Sequence, residues 1–133
     1  MDLSLCIIDQ KTRQLHFAGA KSPICYIKDN QLIEIKGNKK PVGGPQKERE
    51  RFFTKHTINM EDSVTFYLFS DGYQDQFGQN NHKKYMNKRF RELLLSISHL
   101  PMSEQRAKLD AELEEWKGEA VQTDDILVTG FRM

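Results

Sequence analysis

The feature that most constrains this sequence is an apolar run that stops abruptly at an acidic residue. Residues 64–70 read Val-Thr-Phe-Tyr-Leu-Phe-Ser, and Asp71-Gly72 follows directly. A series of β-branched and aromatic side chains of this length predicts a buried strand. Near the C-terminus the order is reversed, because two aspartates that begin at Asp124 lead into the apolar run of residues 126–131. The sequence therefore predicts two buried strands, each with carboxylates at one end.

These acidic strand ends favour a site for a divalent cation. If the two strands are neighbours in one sheet, Asp71 and Asp124 converge on one metal, since carboxylate oxygens suit Mg²⁺ and Mn²⁺. Two such ions about 3.5–4 Å apart share a water, lower its pKa and direct it at phosphorus. We therefore assign no side chain as a catalytic nucleophile, and we expect Gly72 to leave room for waters on the metal. Taken singly, each acid is better explained by a turn or a strand start. Their joint occurrence at the ends of two apolar strands makes a metal site an equally good explanation.

Other candidate ligands have weaker support. Asp75 is expected either to act as an outer metal ligand or, by a simpler interpretation, to hydrogen-bond within its own loop. The four histidines show no spacing typical of a zinc site, so structural or surface roles are favoured for them. Cys6 and Cys25 both fall within predicted strands and resemble buried apolar residues more than a disulfide pair.

The bulk properties indicate one ordinary globular domain over residues 1–133. The chain is 38% hydrophobic and 29% charged, with a formal net charge of +1. This balance argues against a nucleic-acid partner. We also expect no insertion into a membrane, because no apolar run approaches the roughly 20 residues that a span requires. Without a signal-peptide pattern, the expected location is cytoplasmic.

The patterning predicts an α+β domain with two helices packed on a sheet face. The first four strands are expected to form one antiparallel meander. The predicted strands are residues 3–8, 15–18, 24–27, 31–35, 52–58, 64–70 and 126–131. The first helix carries an apolar stripe from Met86 to Ile97, and the second is expected to begin at an N-cap on Ser103 and to stop at Gly118.

A long basic loop separates the fourth and fifth strands. It covers residues 36–51 and contains three of the chain's glycines and two of its prolines. Its cations are Lys36, Lys39, Lys40, Lys47, Arg49 and Arg51. Such a cluster suits a phosphorylated ligand, but a solvated surface loop partly balanced by Glu48 and Glu50 is the favoured interpretation.

Three motifs in a fixed order resemble one protein family. Residues 67–75 resemble the strand and Asp-Gly motif of PPM-type metal-dependent protein serine/threonine phosphatases, in their SpoIIE-like branch. Residues 122–126 resemble the closing Asp-Asp motif of that family, and residues 15–23 resemble its hairpin of an aromatic, small residues and a proline. The resemblance implies a β-sandwich of antiparallel sheets flanked by helices, and a reaction that hydrolyses phosphoserine or phosphothreonine in a partner protein of a bacterial signalling pathway. It places Asp71 and Asp124 at metal-ligand positions and gives Asp125 a supporting role.

One motif of that family has no counterpart in this chain. The missing segment is an early Asp followed by a Gly-His-Gly-like sequence, which in the family supplies a carboxylate shared by two Mn²⁺ or Mg²⁺ ions. The chain is therefore expected to be the C-terminal portion of the domain, without its N-terminal strands. We expect weak metal binding and little or no activity from this chain alone. The missing strands are also expected to leave a sheet edge uncovered, which favours a homodimer.

Two alternatives to a phosphatase remain open from the sequence. The first is a non-catalytic interaction or oligomerisation module that retains the fold without the chemistry. The second is a phosphate-responsive binding domain that uses the basic loop, in which Lys39 and Lys40 would contribute to binding.

Overall fold

The computed structural model describes residues 1–45, 47–80 and 82–133. This part of the chain forms seven strands and three helices. The strands are β1 (Leu3–Asp9), β2 (Gln14–Ala20), β3 (Ile24–Lys28), β4 (Gln31–Ile35), β5 (His56–Asn59), β6 (Thr65–Phe69) and β7 (Val128–Arg132). The helices are α1 (Gly72–Asp75), α2 (Asn87–Ile97) and α3 (Met102–Lys117).

The strands form two antiparallel sheets with the orders β1-β2-β5 and β4-β3-β6-β7. One core lies between the sheets and includes Phe17 from β2 and Phe66 from β6. A second core lies between the four-stranded sheet and the helices, and it includes Tyr67 and Phe90. The predicted α+β fold with antiparallel sheets and flanking helices is confirmed.

The prediction of a single four-stranded meander is wrong. β1 and β2 pair in one sheet, whereas β3 pairs with β4 and β6 in the other. The crossing takes place at residues 21–23, between the end of β2 at Ala20 and the start of β3 at Ile24. Lys21 has a φ of 56° there, and a Cβ on Gly19 would lie 2.3 Å from the carbonyl oxygen of Ser22. Because position 19 is a glycine, the backbone can pass close to the carbonyl oxygen of Ser22, where a side chain would collide. This close contact allows the tight link that leads into the second sheet.

The central strand β6 is buried on both faces, as its continuous apolar sequence predicts. Phe66 is 0% exposed in the core between the sheets, and its neighbour Tyr67 is 1% exposed in the core beneath the helices. Alternation of side chains across a strand places these two residues on opposite faces. β6 therefore belongs to both cores, and its position in the sheet is fixed from either side.

Several element boundaries differ from the predictions. β5 begins only at His56, because the backbone N–H of Thr54 donates to the side chain of Asn38 (2.9 Å) in place of a strand partner. α3 begins one residue before the expected cap, with Pro101 at the N-cap position, and it ends at Gly118 as predicted. The predicted stripe is confirmed for Phe90, Leu94 and Ile97, which are buried on α2. It is wrong for Met86, which lies at the N-cap position before the helix and is 60% exposed.

The strand β1 forms a free edge of its sheet in the described part of the chain. Leu3, Leu5 and Ile7 alternate along it and are 40%, 52% and 58% exposed. Cys25 is buried as predicted, but Cys6 on this edge is only half-buried. None of the described helices is long and apolar enough to cross a bilayer.

Candidate metal centre

The two acidic strand ends lie at the same edge of the four-stranded sheet. β6 and β7 are antiparallel neighbours, and their last paired residues are Phe69 and Val128. The C-terminal end of one strand therefore meets the N-terminal end of the other. Asp71 follows β6 by two positions and Asp124 precedes β7 by four, so the fold brings both segments to one place.

Ser70 connects these two segments directly. Its backbone N–H donates to the carbonyl oxygen of Leu127 (3.0 Å). Its hydroxyl donates to the carbonyl oxygen of Asp125 (2.8 Å) and accepts a hydrogen bond from the N–H of Leu127 (3.0 Å). Sequence reasoning did not identify this residue, although serine hydroxyls commonly bond nearby backbone where regular structure ends.

Gly72 packs against the same carbonyl group. A Cβ at this position would lie 2.2 Å from the carbonyl oxygen of Asp125 and 3.1 Å from Cγ1 of Ile126. The space beside Gly72 is thus occupied by protein backbone, and no other residue type fits there without displacing it. A side-chain-free position is required at the point where the two acidic segments touch.

Asp71 begins a single turn of helix that the sequence did not predict. Its backbone is helical, with φ of −74° and ψ of −11°, and its carbonyl oxygen accepts from the N–H of Asp75 (2.9 Å). The side chain of Asp75 forms an ion pair with Lys84 (3.1 Å). This contact ties Asp75 to the loop after α1, in line with the simpler of its two interpretations.

The acidic edge, defined as Asp71, Asp124 and Asp125, carries carboxylates of the type that a hard cation prefers. Asp71, Asp124 and Asp125 are exposed, and within the described residues none of them forms an ion pair. One carboxylate oxygen of Asp124 accepts from the N–H of Asp125 (2.7 Å). The described residues contain no group of three or more His, Cys, Asp or Glu side chains placed to hold an ion. This chain thus offers oxygen ligands at one edge, but fewer than a full coordination shell.

A cavity of about 560 Å³ opens beside Asp71. Its walls include Ser70, Gln74, Asn87 and Thr129. The side-chain oxygen of Gln74 is buried and has no hydrogen-bond partner among the described residues. A buried acceptor of this kind is normally satisfied by water or by a donor from another molecule, and the cavity is large enough to admit one.

The basic loop is held together by one of its own acids. Glu48 forms ion pairs with Lys40 (2.9 Å) and Arg51 (3.3 Å), and the hydrogen bond from Lys40 lowers the pKa of Glu48 to about 2. Arg51 also donates to the carbonyl oxygen of Pro41 (2.8 Å). Two of the loop's cations are therefore neutralised internally, which agrees with the surface-loop interpretation.

Comparison with protein families gives the chain's place among known proteins. The family described as Stage II sporulation protein E (SpoIIE) matches residues 1–133. The chain belongs to the SpoIIE family. The family resemblance that was predicted from three sequence motifs is confirmed. A comparison with curated protein sequences gave no significant match.

Solved structures similar to this SpoIIE-family chain are phosphatase domains. The SiaA-PP2C domain of Pseudomonas aeruginosa is 32% identical with a TM-score of 0.87; the match covers 99% of this chain and 51% of that one. The phosphatase domain of SpoIIE from Bacillus subtilis is 16% identical with a TM-score of 0.68, over 98% and 57% of the two chains. The catalytic domain of the phosphatase PstP in complex with two manganese ions is 17% identical with a TM-score of 0.63, over 98% and 58%.

These matches have two consequences for the SpoIIE-family chain. The likenesses to SpoIIE and PstP are below 25% identity and concern the fold alone. The chain spans a little over half the length of the structures that it matches. The fold of a PP2C-type phosphatase is thus present over the aligned part.

Proposed function

We propose that residues 1–133 are the C-terminal portion of a metal-dependent protein serine/threonine phosphatase domain. The observation that carries this proposal is the meeting of the Asp71 and Asp124 segments at one sheet edge, through the pairing of Phe69 with Val128. Membership of the SpoIIE family supports the same assignment. The family and the fold do not favour a non-catalytic module.

The substrate proposed is a phosphoserine or phosphothreonine side chain in a partner protein of a bacterial signalling pathway. Divalent Mn²⁺ or Mg²⁺ would supply an activated water for attack at phosphorus. Asp71 and Asp124 would hold these ions through their exposed carboxylates, and Asp125 would support them. Ser70 and Gly72 would hold the two segments together, and the cavity beside Asp71 has room for a phosphorylated side chain.

The chain alone is expected to bind metal weakly. A hard cation held by one or two carboxylates keeps most of its waters and dissociates readily. The remaining ligands would come from a part of the domain outside residues 1–133, since the match covers only 51% of the SiaA-PP2C chain. The first motif of the family, which has no counterpart in this chain, leads us to propose that this part lies upstream. Full activity is therefore expected only when this upstream half is present.

The test compares two Asp→Asn variants of the chain joined to the sequence encoded immediately upstream. Release of phosphate from a phosphoserine peptide is measured with increasing Mn²⁺. Asp71→Asn is expected to lower turnover by at least about a hundredfold, because it removes a metal ligand. Asp29→Asn is the matched control, since Asp29 is an exposed aspartate in the β3–β4 turn. Equal turnover in the two variants would refute the proposed role of Asp71.

A homodimer through β1 remains a prediction. The alternating exposure of Leu3, Leu5 and Ile7 on an edge strand is a feature that usually requires a covering partner. Sedimentation analysis of the chain alone is expected to give a dimer, and Leu5→Lys is expected to shift it to a monomer. A monomer at all concentrations would remove this prediction and leave the phosphatase proposal intact.

A further inference from the structure

We propose that Ser70 is a positioning residue of the metal site: its hydroxyl sets the separation of the two backbone segments that carry Asp71 and Asp124. This inference rests on the proposed function, because it concerns the same metal site. Ser70 is not proposed as a metal ligand, and it acts through the backbone of its neighbours.

The regular pairing of the two strands ends just before the acids. The last paired residues are Phe69 and Val128, and the N–H of Ser70 adds one further bond to the carbonyl oxygen of Leu127 (3.0 Å). The backbone of Asp71 then turns into a helical conformation, so it no longer faces the partner segment. From this point the side chain of Ser70 takes the place of backbone pairing.

The chemistry of the hydroxyl explains why it serves as a link. A serine hydroxyl has one proton to donate and two lone pairs to accept. Here the proton goes to the carbonyl oxygen of Asp125 (2.8 Å), and a lone pair accepts the N–H of Leu127 (3.0 Å). Both ends of a short backbone segment are thereby fixed to one oxygen atom. A single peptide bond separates Ser70 from Asp71 on one side and Asp124 from Asp125 on the other, so a shift at the hydroxyl is passed directly to both acids.

The acidic segment before β7 makes few other hydrogen bonds, although Ile126 packs against the core beneath the helices. Its local bonds are from the side chain of Gln122 to the carbonyl oxygen of Asp124 (2.8 Å) and from the N–H of Asp125 to the carboxylate of Asp124 (2.7 Å). Within the described residues, every other side-chain or loop hydrogen bond to residues 124–127 comes from Ser70. Without the hydroxyl, this segment would retain only one backbone bond to the end of β6.

The first measurement is the dissociation constant of Mn²⁺, by titration calorimetry on the chain joined to its upstream sequence. Ser70→Ala is expected to raise this constant about ten- to a hundredfold, the usual effect of losing a group that orients metal ligands. Ser70→Thr retains the hydroxyl and is expected to restore most of the affinity. Ser98→Ala is the matched control, because Ser98 is also half-buried and its hydroxyl donates to one backbone carbonyl, that of Leu95 (2.8 Å), outside the site.

The second measurement needs no metal. Amide hydrogen exchange at Leu127 in the metal-free chain of residues 1–133 is expected to accelerate in Ser70→Ala and to stay slow in Ser70→Thr and Ser98→Ala. Slow exchange in Ser70→Ala would overturn the inference, and so would fast exchange at Leu127 in the unaltered chain. The measurement on the unaltered chain does not depend on whether any variant folds.

The outcomes separate the inference from the proposed function. An unchanged Mn²⁺ constant in Ser70→Ala, beside a large increase in Asp71→Asn, would overturn the role of Ser70 and leave the phosphatase proposal standing. An unchanged constant in Asp71→Asn would overturn both. Weaker Mn²⁺ binding in Ser70→Ala, with a melting temperature no lower than that of Ser98→Ala, supports positioning over a general loss of stability.

Discussion

Replacement of Gly72 by alanine directly tests the contact between the two backbone segments at the acidic edge. The added Cβ would lie 2.2 Å from the carbonyl oxygen of Asp125 and 2.9 Å from its carbonyl carbon. Non-bonded heavy atoms settle at about 3.5–4.0 Å, so the two segments must separate by roughly 1 Å. The obstacle is backbone on one side and the first turn of α1 on the other, and neither can rotate away as a long side chain would.

Two opposing terms decide the effect of Gly72→Ala on stability. Alanine in a helix is intrinsically better than glycine by at most about 1 kcal/mol. Forcing an extra methyl group into a filled space costs about 1–3 kcal/mol. The collision is therefore expected to dominate, and the free energy of unfolding should fall by about 1–2 kcal/mol.

The effect on the metal site should be larger than the effect on folding. The displaced carbonyl of Asp125 is also the acceptor of the Ser70 hydroxyl (2.8 Å), and a movement of about 1 Å breaks that bond. A misplacement of this size typically costs about a hundredfold in a catalytic constellation. We expect a comparable loss of phosphate release at limiting Mn²⁺ in the chain joined to its upstream sequence.

Gly130→Ala is the control for a general packing defect. Its added Cβ would lie 3.3 Å from the ring of Tyr67 and 3.6 Å from the sulfur of Met102, which are side chains that can shift. It is expected to lose some stability and to retain its Mn²⁺ dependence. If Gly72→Ala also retains normal Mn²⁺ dependence, the carbonyl of Asp125 does not set the geometry of the acidic edge, and the reasoning fails.

Three further predictions test the packing and the titrating groups. Leu94→Ala removes a side chain that is 0% exposed and is expected to lower the free energy of unfolding by about 2–5 kcal/mol in urea titrations; a loss below 1 kcal/mol would contradict the placement of α2. Burial raises the pKa of Tyr67 to about 12, so the neutral phenol stabilises the fold below pH 10 and this contribution is lost as the pH rises from about 10 to 12. Tyr67→Phe is expected to flatten the decline of stability with alkaline pH, measured by urea titration at each pH, and an unchanged slope would contradict it. The hydrogen bond from Lys40 lowers the pKa of Glu48 to about 2, so the contribution of this ion pair to stability is complete above pH 4.5 and is lost as the pH falls toward 2. Glu48→Gln should therefore reduce the loss of stability between pH 4.5 and 2. A variant that keeps the full loss of stability over this range would argue against the ion pair.

The parts of the fold that the sequence predicts well are those encoded by local chemistry. The continuous apolar run of β6 predicts burial on both faces, and Phe66 and Tyr67 are buried in separate cores. The stripe of α2 at helical spacing predicts its buried residues, and Gly118 marks the end of α3 with a φ of 53°. In each case the signal lies within a few neighbouring residues.

The errors come from partners that are distant along the chain. The division of the first four strands between two sheets depends on the pairing of β3 with β6, about 40 residues later. The late start of β5 depends on a hydrogen bond between Asn38 and Thr54. The link through Ser70 was missed for the same reason, because its partner Asp125 lies 55 positions away. A single sequence carries no local signal for such contacts.

The acidic edge depends on strand register as much as on its acids. A slip of one residue between β6 and β7 would move the Asp124 segment by about 3.3 Å and reverse the faces of the strand. The register that pairs Phe66 with Phe131 also stacks their rings, with centroids 5.2 Å apart, in the core between the sheets. Burial of this aromatic pair therefore opposes the slip, and it fixes which backbone atoms Ser70 and Gly72 meet at the edge. It follows that Phe131→Ser should weaken Mn²⁺ binding more than Leu94→Ala does at matched loss of stability, because Phe131 belongs to the strand pairing that aligns the acids and Leu94 does not. Equal Mn²⁺ affinity in the two variants by calorimetry would show that contacts at the strand ends align the acids and that the aromatic core does not contribute.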